Sequence, residues 1–488
     1  MSADLLSSPR WKSSQLGLPI PDDGDAVSVC LPLWAHNIAY EEGDPQVADR
    51  LQAAYPRFFI HPDVQELCDK LFPRGSGLPF ATADAAVRAV QYVQYVGGTS
   101  AVIQPIPDQP CVAVSVAPDE LPLLMQYWQH AGELVSSRVA RSVLAERPVA
   151  ITETTARSVV RKRVADLHHT SDANVYLYAS GMAAIAGVWR AVTRQTPGQP
   201  TCQFGFPYVD TLKIQERFPG ASHVFLPMGH AADEVKLAEL FPKRRFAAVF
   251  CETPTNPLLR LPNLSHLREI TTGHGCPLIV DDTLRACSPK SVLPCSDAVV
   301  TSLTKYFSGY GNVLAGALVL NPRSAFFDEL RSVLDDDFEE TLSDLDTEVL
   351  EYNSRDVETR TYQCVRNARV LAEWLRQQPA VDQVFFPPAG DLSDTSCGAL
   401  FSIVLKDAES ATPRVFDRLQ VSKGPNLGTN FTLCCPYTML AHYNELDFAE
   451  RCGASRWLLR FSAGIEPVEE IQARILTALE SSEELHGN

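Results

Sequence analysis

Between about residue 150 and residue 325, short apolar runs recur at 175–178, 223–226, 246–251, 277–280, 298–301 and 317–320, separated by helical or loop spacers. This alternation constrains the fold more than any other feature. Strands that are apolar throughout must be covered on both faces, and strands that alternate with helices build an α/β sheet, mostly parallel. Residues 155–168 and 181–194 carry helical apolar spacing. A chain of 488 residues suits two or three domains. The expected division is a leader or extension at 1–150, a large α/β domain at 151–325, and a linking helix with a small α+β domain at 326–488.

The leader mixes short apolar runs with polar loops, and its architecture is not legible from pattern. After Asn321 and Pro322 comes a strongly acidic helical stretch at 324–378. Its Asp335–Asp337 run, with Glu339 and Glu340, is read as a solvated face without chemistry. Strands are expected at 400–405 and 457–462, and a last helix at 466–482.

Composition excludes some classes. A net charge of −17 argues against nucleic acid or an anionic membrane as partner. No apolar run approaches the length of a membrane span. The first thirty residues show no continuous apolar core, so no secretory signal is expected. The 13 cysteines are scattered without a CxxC spacing, which predicts reduced thiols, a cytoplasmic location and no metal site.

Four features fall at strand ends or helix starts, where an open α/β sheet places its ligand site. Ser180-Gly181-Met182 lies between a strand and a helix, and free N–H groups at such a start bind phosphate. Asp281 ends an apolar strand, where a carboxylate is costly unless a cation such as a pyridinium nitrogen pairs with it. Asp282 and Thr283 fit a helix N-cap equally well. Asn256 stands between Pro254 and Pro257, which would hold its amide rigidly. Lys305 follows a strand, with the hydroxyls of Ser302 and Thr304 just before it. A lysine at the mouth of a buried site can act as nucleophile and base.

In that joint order, with SGMAAI, ETPTNP, VDDT and SLTKYFSGYGNVLAG, the chain resembles the Cys/Met-metabolism family of pyridoxal-phosphate (PLP) enzymes, which includes cystathionine γ-synthases and γ-lyases. The leader stretches 55–61 and 128–130 resemble its fungal branch. The resemblance implies the type I, aspartate-aminotransferase-like fold and pyridoxal 5′-phosphate as cofactor. It makes Lys305 the lysine that condenses with the cofactor aldehyde, pairs Asp281 with the ring nitrogen, and turns Asn256 to the ring hydroxyl. Ser180, Gly181, Met182, Ser302 and Thr304 would hold the phosphate. Arg460, in the LRFSAGIE stretch, would clamp the substrate carboxylate, a task that suits its two-pronged geometry. Tyr208, in a Tyr-x-x-Thr element, would stack on the ring, with Phe204 as the competing alignment.

Two departures fall where the family shapes its substrate pocket. Asn426-Leu427-Gly428 stands for a Ser-Leu-Gly, and the usual acid a few residues on is replaced near Phe431. Where most relatives have a Tyr-Ser-Arg that reaches into the neighbouring subunit's phosphate site, this chain has Thr155-Ala156-Arg157, and Arg138 is the displaced candidate for that role. The implied partners are a small amino acid and further copies of the chain, as a homodimer or homotetramer with shared active sites. The implied reaction is γ-replacement on an O-acyl-L-homoserine by cysteine, another thiol or a carbon nucleophile. The alternative is a γ- or β-lyase. A nicotinamide enzyme fits poorly, because Gly309-x-Gly311 trails Lys305 instead of opening a helix after the first strand. A catalytically dead scaffold is disfavoured by retention of Lys305, Asp281 and Arg460.

Overall fold

A computed structural model describes residues 4–53, 58–73, 75–220, 222–387 and 397–480. The leader is two structural pieces, not one. Its later piece is a three-stranded antiparallel sheet, β1 (Ser76–Phe80), β2 (Val102–Pro105) and β3 (Val112–Val116), in the order β1–β3–β2. The helix Ala83–Tyr95 packs on it through Ala85, Ala89 and Val93, the four-residue repeat of a buried helical face. This core is continuous with that of the central helix Gly181–Gln195.

A buried charge cluster ties the two together. Arg88 of the leader donates to Glu133 at 2.8 Å, Arg190 of the central helix pairs with the same carboxylate at 3.0 Å, and Tyr127 donates at 2.6 Å. Burial alone would raise the Glu133 carboxyl, but the two guanidinium groups hold it down at about 2.

Residues 4–50 form a strap that lies against the C-terminal part of the chain. Lys423 N–H donates to Arg10 O, and Leu31 N–H donates to Lys423 O, while Leu16, Val29 and Leu31 pack with Val404 and Leu458. Further along, Val27 N–H donates to Gly311 O in the loop after Lys305.

The central sheet has seven strands: β4 (Val175–Tyr178), β5 (Thr201–Phe204), β6 (His223–Leu226), β7 (Val249–Glu252), β8 (Leu278–Asp281), β9 (Ala298–Ser302) and β10 (Gly316–Leu320), in the order β4–β10–β9–β8–β7–β5–β6. All pairs are parallel except those made by β10, which runs against both β9 and β4. Six strands stand where the apolar runs predict them. The seventh, β5, carries no such run, because Gln203 sits in its middle. That amide is satisfied inside the fold by Gln215 at 2.9 Å and by Gly205 O at 3.3 Å. Strands β7 and β8 each run one residue past their apolar runs, which carries Glu252 and Asp281 into the sheet's end.

The acidic stretch is three helices, Phe327–Asp337, Asp344–Asn353 and Val357–Leu375. Its acids are not simply a solvated face. Glu340 meets Arg157 at 2.7 Å and Arg161 at 3.4 Å, Glu339 accepts from Thr82, and Asp335 accepts from Tyr176 at 2.7 Å. They answer basic and hydroxyl groups of the leader and large domain.

The C-terminal sheet comprises β11 (Val381–Phe385), β12 (Leu400–Leu405), β13 (Ser422–Lys423), β14 (Leu433–Cys435) and β15 (Leu459–Ser462), in the order β11–β12–β15–β14–β13. The last strand starts two residues later than expected, because Trp457 stacks on Trp34 of the strap at 5.5 Å. Among the described residues no helix is long and apolar enough to cross a membrane.

Candidate active site

The C-terminal ends of β4, β5, β7, β8 and β9 point to one side of the sheet, because β4 and β9 both run against β10. A cavity of about 820 Å³ opens there. Each residue assigned above to the cofactor or the substrate lines it, except Arg138 and Asn426.

Ser180 ends the turn after β4 and caps the helix Gly181–Gln195, its hydroxyl accepting from Ala183 N–H at 3.1 Å. The N–H groups of Gly181 and Met182, in the first turn, have no intrahelical acceptor. Gly181 is packed so closely that a Cβ there would lie 2.7 Å from Ser302 Cβ. Ser302 is fixed from the far side, since its N–H donates to Thr283 Oγ1 at 2.8 Å. The Thr304 hydroxyl accepts from Ala315 N–H at 3.0 Å, which ties the lysine-bearing turn to the residue just before β10.

Lys305 follows this turn and directs its Nζ to Asn426 Oδ1 at 2.5 Å. Asn426 therefore belongs to the site through the lysine, although it does not line the cavity. Its Nδ2 is buried and has no hydrogen-bond partner among the described residues.

Opposite, Asp281 accepts from Thr283 N–H at 2.9 Å. Burial pushes its carboxyl up to about 6, against the pull of Thr283, and no cation acts on it among the described residues. Glu252, its register partner on β7, also faces the cavity. Burial, and then the neighbouring Asp281, push Glu252 well above the usual carboxylate range. Its Oε2 accepts from the Tyr208 N–H at 2.6 Å, which fixes Tyr208 at the cavity wall.

Arg460, buried on β15, donates to Asn256 Oδ1 at 3.2 Å and to Pro425 O at 2.9 Å, and lies over the Tyr437 ring at 4.6 Å. Because the Asn256 oxygen is used by Arg460, its NH₂ is the group left to donate into the cavity.

Other residues lie away from this chain's own cavity. The guanidinium of Arg138, assigned to a neighbouring subunit's phosphate site, does not line it. It is held by Asp25 and Asp346, each at 3.3 Å, beneath the strap. Arg157, in the Tyr-Ser-Arg position, is buried against Glu340 and Asp344 and also stands away from the site. Phe204, the rival to Tyr208, is sealed in the core of the sheet. Phe431 packs with Leu5, Ile20 and Leu433 under the strap, so the change at that position alters a core, not the cavity wall.

The structure also adds residues that sequence reasoning passed over. Glu252 lies inside the quoted ETPTNP stretch, and its position one residue past an apolar run was its signal. Thr283 was read only as a cap. Val27 and Phe58, from the leader, line the cavity and carry no local signal.

A family model described as Cys/Met metabolism PLP-dependent enzyme matches residues 151–480. A cystathionine γ-synthase of Neurospora crassa is 30% identical, over 96% of this chain and 99% of its own length. An L-2-amino-4-chloropent-4-enoate dechlorinase/desaturase of Streptantibioticus cattleyicolor is also 30% identical, over 96% of this chain and 98% of its own. Among solved structures, cystathionine γ-synthase from Xanthomonas oryzae pv. oryzae, in complex with cystathionine, superposes with a TM-score of 0.59 at 25% identity, covering 68% of this chain and 87% of that one.

Proposed function

Because the chain belongs to the Cys/Met-metabolism family of PLP-dependent enzymes, we propose that it carries out γ-replacement on an O-acyl-L-homoserine, with a thiol or a carbon nucleophile as the attacking group. One observation carries this reading: Lys305, Asp281 and Arg460 converge on a single cavity. They supply an amine able to move protons, a carboxylate in want of a cation, and a guanidinium suited to a carboxylate.

The residues present fit the cofactor. The N–H groups of Gly181 and Met182 at a helix start, with Ser302 packed against Gly181, suit a phosphate. Asp281, with no cation acting on it among the described residues, suits a protonated ring nitrogen. The NH₂ of Asn256 suits a ring hydroxyl. When bound, pyridoxal phosphate supplies an aldehyde that condenses with amines and a conjugated ring that accepts electrons.

The chain's own groups divide the remaining work. Arg460 holds the substrate carboxylate, and Tyr208 covers the reacting face. Lys305 Nζ takes the proton from Cα and then one from Cβ, with Asn426 holding it on line. The Cγ–O bond breaks with its electron pair leaving on the acyl carboxylate. A thiol then bonds to Cγ through sulfur; of the three protons released by Cα, Cβ and the thiol, two return to Cβ and Cα and one leaves with the acyl acid. Incubating the holoenzyme with O-acetyl- and O-succinyl-homoserine and a panel of thiols is expected to give thioether and free acid.

The dechlorinase/desaturase relative favours a second reading, in which the same residues end in elimination. Keto acid and ammonia, with no thioether formed, would establish it instead.

Arg460→Lys is expected to raise KM for the amino acid roughly 10- to 100-fold, because a point charge cannot replace a two-pronged donor. Steady-state kinetics check this. A KM within about twofold of the parent removes Arg460 from the carboxylate.

A further inference from the structure

A second pocket of about 380 Å³ adjoins the reaction cavity. The strap helix Trp34–Glu41 supplies Tyr40 and Glu41, and the short helix Tyr437–Ala441 supplies Tyr437 across from them. Phe58 and Tyr208 line this pocket and the cavity alike, so the two spaces share a wall. Pro425 lines it too, and Arg460 donates to the Pro425 carbonyl while lying over Tyr437. A ligand here sits next to the group assigned to the substrate carboxylate.

Glu41 is the acid of this pocket. It occupies the last position of its helix, where the backbone dipole disfavours negative charge. Among the described residues no donor or cation meets its carboxylate. Burial alone pushes it up to about 8. The adjacent acid, Glu42, is turned outward and accepts from Tyr443 at 2.6 Å, so that hydroxyl is engaged elsewhere. A desolvated carboxylate with no protein partner is costly. Ringed by Tyr40, Phe58, Tyr208 and Tyr437, it offers what an organic ammonium needs: one opposite charge and several aromatic rings.

We propose that this pocket is a subsite for the ammonium group of the second substrate, with Glu41 as its counter-ion. The inference rests on the γ-replacement reading and narrows it, because the attacking thiol then carries an amine. Glu41 and the Phe58–Tyr208 wall select the nucleophile, while Lys305, Asp281 and Arg460 serve the electrophile.

The test separates the subsite from the reaction. Calorimetric titration of the holoenzyme at pH 9, where Glu41 is ionised, would compare two unreactive thioethers. One is 2-(methylthio)-N,N-dimethylethylamine, a cation that cannot condense with an aldehyde. The other is its neutral twin, 2-(methylthio)ethanol. The amine is expected to bind about tenfold more tightly, and Glu41→Gln to erase that preference while leaving the alcohol unchanged. In turnover with O-acetylhomoserine, E41Q is expected to lower kcat/KM about tenfold for 2-(dimethylamino)ethanethiol and not for 2-mercaptoethanol. Equal binding of the two thioethers by the parent enzyme, or a preference that survives in E41Q, overturns the subsite. Absence of any thioether product while the binding preference holds overturns the γ-replacement reading instead.

Discussion

Lys305→Ala is expected to lower turnover by roughly 10,000-fold or more, the largest effect of any single substitution in this chain. The size follows from the number of tasks given to one amine. In the proposed reaction Lys305 would anchor the cofactor aldehyde and move the protons at Cα and Cβ, so its loss removes several steps together. Its position supports these tasks. The turn that carries it is pinned through Thr304 to Ala315, just before β10, and its Nζ is held by Asn426 at 2.5 Å. Water cannot replace it, because a proton acceptor works only when held within reach of the proton it takes. Two measurements check the assignment. Borohydride reduction of the parent holoenzyme should fix the cofactor on residue 305, as read by a peptide map. Exogenous methylamine should restore part of the exchange at Cα in the variant. An adduct on another lysine, or activity in Lys305→Ala above about 1% of the parent enzyme, would end the assignment.

What could be read in the sequence was what lies close along it. The Ser302–Lys305 turn, the strand ending at Asp281 and the capped helix start at Gly181 are contiguous stretches whose chemistry is visible locally. All three meet at one cavity. Spacing favoured Tyr208 over Phe204, and in the fold Phe204 is in the core while Tyr208 lines the cavity.

What stayed hidden depends on distant pairing. The strap bonds at Arg10 and Leu31 to Lys423, about four hundred residues away, and no local pattern encodes that register. Val27 of this strap donates to Gly311 O and so comes to line the cavity. The strand β5 was invisible because Gln203 breaks its apolar run, and the amide is satisfied only once Gln215 folds over it. Acid runs carry no sign of whether they will face water or arginine. Glu340 faces arginine. Asn426 was visible as a departure from the family pattern, but only the fold shows its oxygen holding the lysine.

Asp281→Asn should slow proton exchange at the substrate Cα by roughly 100- to 1,000-fold, the loss expected when one member of a buried charge pair goes. The amide is nearly isosteric and its oxygen can still accept from Thr283 N–H, so the change removes charge with little change of shape. The sequence asks for a charge here: β8 runs one residue beyond its apolar run and ends on a carboxylate beside a second acid, Glu252. Burial raises both carboxyls, Asp281 to about 6 and Glu252 further, so the cavity floor is short of positive charge rather than overfilled with negative.

In the proposed reading a protonated ring nitrogen would supply the missing charge, and the sign of the pH dependence follows. Below about 6 the Asp281 carboxyl is neutral and cannot hold a cation, and above it the carboxylate can. For the cofactor-free protein the raised value means that Asp281 contributes stability below its unfolded value near 3.8, and that this contribution is lost as pH rises through 6. Binding a cation offsets that loss. Cofactor affinity of the parent enzyme should therefore fall as pH drops through about 6, and Asp281→Asn should flatten the dependence. Deuterium exchange at Cα, normalised to bound cofactor, and cofactor titrations at about pH 5 and 8, on either side of that value, measure both effects. A variant that exchanges within about threefold of the parent rate, or that keeps the parent's pH dependence of cofactor binding, would place the countercharge of the ring on another residue, and Glu252 would be the next to substitute.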